Sequence, residues 1–153
     1  MRARAAGLSL LILLAACGPS AEEEAARIAA EEQAAAQAEM DAAQAAYDPA
    51  AFDTISWESS QEAIERGATV FRFSCQKCHG PNGAGDGGFV MGGDTLRPPT
   101  FLADEWRFAE DRDGLREQVF VGALEGMPHW GMEGLKYRDV DAVAIYIQQD
   151  LRN

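Results

Sequence analysis

Two cysteines and a histidine stand together near the middle of the chain, in the order Cys75-Gln76-Lys77-Cys78-His79. The spacing C-x-x-C-H is the attachment sequence of c-type haem, in which both thiols bind the porphyrin edge and the histidine ligates the iron. A thiol redox switch, a structural zinc site and a plain disulfide are the alternatives for the same residues. Haem attachment also predicts a second axial ligand farther along the chain.

The rest of the sequence offers little support for the three alternatives. A thioredoxin-like switch requires a βαβ pattern around the motif, and no stretch of this chain alternates as a strand does. A zinc site requires a fourth ligand, and His129 is the other histidine, with no second C-x-x-C. A disulfide between Cys75 and Cys78 would close a small, strained ring and leave His79 unexplained. These residues therefore favour covalent haem.

Residues 126–130, Gly-Met-Pro-His-Trp, supply a candidate for the second ligand. The thioether of Met127 is a soft ligand, and Pro128 restricts Met127 to an extended backbone outside any helix. Ligation by histidine and methionine fills both axial positions and raises the reduction potential, which suits electron transfer. Met127 is the predicted ligand. The alternatives are Met91, Met132 and His129.

The N-terminus has the pattern of an export signal. Two arginines precede an apolar run, residues 8–14, that is too short to cross a bilayer. Residues 14–17, Leu-Ala-Ala-Cys, are similar to the lipobox of bacterial lipoproteins, where the chain is cut before a cysteine that carries lipid. We expect a signal peptide over residues 1–16 and lipidation of Cys17, with an ordinary secretory signal as the alternative. Lipid on Cys17 would hold the protein at the periplasmic face of a bacterial membrane.

The next segment, residues 17–53, differs in composition from the rest of the chain. It is rich in alanine, glutamate and glutamine, which are strong helix formers, but has no apolar stripe suited to burial. We expect a lipid-anchored acidic tether, helical or flexible, with a helix over about residues 21–47. Such a helix would span roughly 40 Å and would provide reach.

Residues 54–153 have the composition of a globular domain with an all-α fold. A serine and a glutamate at capping-box spacing predict a helix over residues 60–73 that leads to the cysteines. Glycines and prolines predict a loop over residues 80–93 and beyond. Apolar periodicity predicts two more helices, over about residues 111–121 and 138–151.

These features together resemble a small bacterial class I cytochrome c, a monohaem c-type cytochrome. The resemblance covers residues 57–153 in order. It rests on Gly67 and Phe71 ahead of the cysteine motif, Gly-Met-Pro at 126–128, and a last helix that carries Tyr146. It implies an all-α class I cytochrome c fold around one covalently bound haem c. It also implies that the first and last helices cross at Gly67, with Phe71 and Tyr146 sealing the contact.

The resemblance implies further roles around the haem. A proline after the motif would accept, through its carbonyl oxygen, a hydrogen bond from the histidine ligand. Pro98 and Pro99 are both placed for this role, and Pro99 is favoured. Trp130 would cover the ring or contact a propionate. The full set of candidates for contact with the haem propionates is Arg97, Trp106, Arg107 and Trp130.

The formal net charge of the chain, −12, bears on its partners. A chain this acidic is a poor partner for nucleic acid, and a lysine-ringed docking face is not expected. The expected function is single-electron transfer between redox protein partners, with the haem iron as carrier and no small-molecule substrate or catalysis. The alternatives are a permanent cytochrome subunit of a periplasmic dehydrogenase or terminal oxidase, and a ligand-binding or peroxidatic haem protein.

Overall fold

The computed structural model describes residues 18–152. The expected signal peptide and Cys17 lie outside this range. Residues 18–33 and 34–152 form two compact units. Helix α1, Ala21–Ala46, belongs in part to each. In the first unit Arg27 forms ion pairs of 2.5 and 2.6 Å with Glu24 and Glu31, one helical turn away on either side, as expected for a solvated acidic helix.

Helices dominate the second unit, which confirms the all-α fold. Residues 90–95 contain a two-residue antiparallel strand pair in the long loop, and Ala123 and Met127 form an isolated antiparallel bridge. No helix within residues 18–152 has the length and apolar character needed to cross a membrane. The elements after α1 are the 3-10 helix Pro49–Thr54, α2 Ser60–Val70, a π-helical turn Phe71–Cys75, α3 Gln76–His79, β1 Val90–Met91, β2 Asp94–Thr95, α4 Arg112–Val121, α5 Tyr137–Tyr146 and a π-helical turn Ile147–Leu151.

Helices α2 and α5 cross at Gly67, as the resemblance implied. A Cβ atom on Gly67 would lie 2.5 Å from the Cβ of Tyr146 and closer still to the carbonyl oxygen of Ala142. The rings of Phe71 and Tyr146 seal the crossing, with centroids 5.6 Å apart. Glycine is therefore required here because the α5 backbone occupies the space of a side chain.

The core also includes residues that precede position 54. Ala43 is fully buried, and Tyr47 packs against Phe120 with ring centroids 5.4 Å apart. Phe52 meets Tyr137 edge to face at 5.1 Å. The expectation that the acidic helix, α1, has no apolar stripe suited to burial is wrong for its last turns. Alanine hardly registers as an apolar stripe in a sequence, yet its small side chain permits close packing.

A buried ion pair ties α4 to α5. Asp141, 2% exposed, accepts hydrogen bonds from Arg116, 2.5 Å from Nη2 and 2.9 Å from Nε. The indole nitrogen of Trp57 donates to the other carboxylate oxygen at 2.7 Å. Both oxygens are therefore satisfied, as a buried carboxylate requires.

Candidate functional site

The C-x-x-C-H motif lies at the end of the helix that crosses α5. After Val70, α2 continues through the π-helical turn into α3, so that Cys75 is buried and Cys78 is half-buried. Both cysteines are free thiols, so no disulfide joins them. His79 ends α3, and Gly80, with φ of 78°, turns the chain away. In the described part of the chain no three or more His, Cys, Asp or Glu residues gather as a metal site.

Burial sets the protonation of these groups. It raises the pKa of the Cys75 thiol to about 12, with the nearby Cys78 adding to the effect, so Cys75 stays protonated at neutral pH. Burial also lowers the pKa of His79 to about 4, so the imidazole is neutral at neutral pH. A neutral imidazole is the form that binds a metal. Within residues 18–152, the buried Nδ1 of His79 has no hydrogen-bond partner.

The loop after the motif brings a later segment against His79. The backbone N–H of Gly85 donates to the His79 carbonyl at 2.8 Å, and that of Phe101 donates to the Gly83 carbonyl at 2.8 Å. The Phe101 ring stacks on the imidazole of His79, with centroids 4.5 Å apart. A Cβ on Gly85 would collide with the carbonyl oxygen of Pro98. The glycines of this loop therefore allow residues 98–101 to pack beside the histidine.

Met127 lies in a short loop that begins where α4 ends. Its carbonyl accepts a hydrogen bond of 3.0 Å from the backbone N–H of Ala123, which closes the loop. Met127 is half-buried and packs against the core. Gln118 Nε2 lies 2.8 Å from the Gly122 carbonyl oxygen and 3.8 Å from the Met127 sulfur. Sequence reasoning missed Gln118, because a glutamine on an amphipathic helix carries no distinctive signal.

The alternative ligands have different surroundings. Met132 is 56% exposed and Met91 is 46% exposed. A Cβ on Gly126 would nevertheless lie 2.5 Å from the methyl carbon of Met91, so Met91 sits beside the loop that carries Met127. The Nδ1 of His129 is hydrogen-bonded to the carbonyl of Val121. Met91 thus lies beside Gly126, the residue before Met127, and His129 is held through its Nδ1 by the backbone of Val121.

The structure gives fewer specific contacts for the residues that only the resemblance implies. Pro99 and Arg97 are exposed, and no carbonyl accepts a hydrogen bond from His79 Nδ1 in the described structure. Trp130 is half-buried and packs against the core. The Trp106 ring packs against Phe101 in a tilted arrangement, with centroids 5.0 Å apart, and Arg107 lies over the Phe108 ring at 4.3 Å. Their contacts with haem stay predictions.

The chemistry of this donor set fits covalent haem. Cys75 and Cys78 are reduced thiols, the form that adds to vinyl groups. His79 is neutral and has an unpaired buried ring nitrogen. Met127 offers a thioether with one neighbouring donor, Gln118. His79 is already neutral, so it does not have to lose a proton before ligation.

Comparison with known proteins leads to the same class. The family model described as "Cytochrome C oxidase, cbb3-type, subunit III" matches residues 62–147. The chain is 29% identical over 94 residues to the "Cbb3-type cytochrome c oxidase subunit CcoP" of Cereibacter sphaeroides, a match covering 61% of this chain and 30% of that protein. No solved structure matches significantly. The chain belongs to the c-type cytochrome family described as cytochrome C oxidase, cbb3-type, subunit III, which binds haem c with its iron.

Proposed function

We propose that this chain is a membrane-anchored periplasmic electron-transfer protein with one haem c. Cys75 and Cys78 would hold the haem through thioether bonds, and His79 and Met127 would be the axial ligands. The iron, when bound, supplies a one-electron couple. Because the chain itself would fill both axial positions, it would pass electrons without transforming a substrate.

The observation that carries this proposal is the state of His79. It follows two free thiols directly, is neutral because burial lowers its pKa to about 4, and keeps its Nδ1 unpartnered. A buried ring nitrogen without a partner is costly unless another group satisfies it. Haem ligation would hold the imidazole of His79 in one orientation, in which such a group could bond to Nδ1. The carbonyl of Pro98 or Pro99, in the segment that packs against Gly85, would be the acceptor for the Nδ1 bond.

Anchoring and partners extend the proposal. Lipid on Cys17 and the part of the 17–53 segment that precedes Ala43 would keep the haem domain near the membrane while it exchanges electrons with donor and acceptor proteins. The net charge of −12 makes an acidic docking site on a partner unfavourable. The second candidate function is a permanent cytochrome subunit of an oxidase complex, which the family description favours. The relative's printed name likewise gives an oxidase subunit, although the match spans only 30% of that protein.

Optical spectra of the haem-loaded full chain test the ligation. Covalent haem should resist extraction by acidified organic solvent, and the ferric protein should show the weak far-red sulfur-to-iron band. Met127→Ala should abolish this band, whereas Met132→Ala and Met91→Ala, the matched controls, should retain it. Survival of the band in Met127→Ala would move the ligand to another methionine. Rapid binding of carbon monoxide by the reduced wild-type protein would instead favour the ligand-binding alternative.

Purification from detergent-solubilised membranes separates the two candidate functions. A free carrier should elute as a monomer, whereas a permanent subunit should elute with a stoichiometric partner. Cys17→Ala is the control for anchoring, because it removes the lipid: a free carrier should then leave the membrane, whereas a permanent subunit should stay with its complex. Release of wild-type protein by salt alone would contradict the lipid anchor.

A further inference from the structure

Gln118 occupies a particular position on α4, four residues before the glycine that ends the helix. Its side-chain amide carries two N–H donors on one nitrogen. That nitrogen lies 2.8 Å from the carbonyl oxygen of Gly122, a normal hydrogen bond, and 3.8 Å from the Met127 sulfur. The side chain is half-buried. One amide thus connects the helix end to the methionine.

The loop geometry keeps the methionine against this amide. Gly122 has a φ of 82°, and a Cβ there would lie 2.5 Å from the Met127 carbonyl oxygen and 2.6 Å from that of Pro128. The loop is therefore folded directly onto the end of α4. The bond to Gly122 fixes one N–H of Gln118, and the geometry leaves the other for the sulfur of Met127.

We propose that Gln118 is a positioning residue for Met127, and that its second N–H raises the reduction potential by donating to the thioether sulfur. This inference rests on the proposed ligation by Met127. A thioether has two lone pairs, so one can bind iron while the other accepts a hydrogen bond. Donation to the sulfur withdraws electron density from it, which favours the ferrous over the ferric state. Outer hydrogen bonding of this kind is an established way to tune a metal centre.

The midpoint potential of Gln118→Leu tests the inference. Leucine retains apolar bulk but has no N–H, so at the wild-type midpoint the ferrous-to-ferric ratio should fall by about threefold, as for one weak hydrogen bond. This corresponds to a potential lower by about 28 mV, at 59 mV per tenfold change. The far-red band should shift or weaken in the same variant. A role confined to the backbone bond with Gly122 would change these quantities no more than the loss of a comparable bond elsewhere in the protein.

Gln148→Leu is the matched control. Its Nε2 also donates to a backbone carbonyl at 2.8 Å, that of Phe108, and the side chain is likewise half-buried. This variant should keep the wild-type potential and band. If Gln118→Leu equals wild type in both measurements, the inference is overturned. If both leucine variants shift the potential equally, general loosening is the cause and the inference is also overturned.

A second measurement needs no variant. Ferrous low-spin haem is diamagnetic, so NMR of the reduced wild-type protein should show cross-relaxation between the Gln118 amide protons and the Met127 methyl group. Its absence would overturn the inference even if Gln118→Leu failed to fold. The two proposals fail separately. Loss of the band in Met127→Ala with no effect of Gln118→Leu refutes only this inference, whereas a band that survives Met127→Ala refutes the ligation and this inference together.

Discussion

Replacing Gly67 by alanine should destabilise the protein by about 2 kcal/mol. The new Cβ would lie 2.5 Å from the Tyr146 Cβ and 2.7 Å from the carbonyl carbon of Ala142, whereas packed carbon atoms are ordinarily ~3.5–4.0 Å apart. The helices must therefore separate by about 1 Å. Because the obstacle is backbone, no rotamer change relieves it, and overpacking should cost about 3 kcal/mol. The higher helix propensity of alanine offsets about 1 kcal/mol of this loss.

Urea unfolding of the haem-loaded full chain measures the effect, followed by haem absorbance and by far-UV circular dichroism. For an m-value of about 2 kcal/mol/M, the midpoint should fall by about 1 M. Gly114→Ala in α4 is the matched control, because the atoms nearest to a Cβ there belong to the Asp111 carboxylate, which can rotate at the cost of its 2.8 Å cap bond from the Gly114 N–H, so no backbone has to move. We expect the control to stay within about 1 kcal/mol of wild type. A Gly67→Ala protein as stable as wild type would refute the close α2–α5 contact.

Two further substitutions probe the framework. Asp141→Asn removes one of the two carboxylates paired with the half-buried Arg116, the other being that of Asp113, and should cost about 3 kcal/mol in the same urea assay. Asp141→Leu combined with Arg116→Leu should recover most of the loss. An Asn variant as stable as wild type would contradict this reasoning. Tyr137→Phe removes the hydroxyl that accepts a 2.8 Å hydrogen bond from the Asp48 N–H, and should cost about 1 kcal/mol. Hydrogen exchange at Asp48 should accelerate, and unchanged exchange would count against the contact.

The parts of the fold that were predictable from sequence carry their signals locally. The hydroxyl of Ser59 accepts a 3.1 Å hydrogen bond from the Glu62 N–H, as the capping-box spacing predicts, and α2 begins there. Helix α4 ends at Val121, the last residue of the predicted range, and Gly122 follows it. The C-x-x-C-H motif is recognisable because its chemistry requires a fixed spacing. The crossing at Gly67 was implied only by resemblance, because a glycine in a helix does not reveal what it faces.

The remaining features depend on partners distant in sequence. Asp141 has the pattern of an exposed carboxylate, yet it is 2% exposed because Arg116 and Trp57 reach it from other elements. Tyr47 lies in the acidic, alanine-rich segment, and it is partly buried because its ring packs against Phe120 of α4. Neither periodicity nor composition records such pairings, since tertiary packing decides them.

Helix α5 is the common support of the two proposed ligands. Through Gly67 it packs on α2, and α2 continues without interruption to His79. Through Asp141 and Arg116 it holds α4, whose end carries the loop of Met127. Each proposed ligand thus follows a helix that packs on α5. A redox site performs best when rigid elements hold its ligands in place. An electron carrier needs ligands that stay in place in both oxidation states. The least exposed side chains of α5 therefore belong to the electron-transfer design as much as to stability.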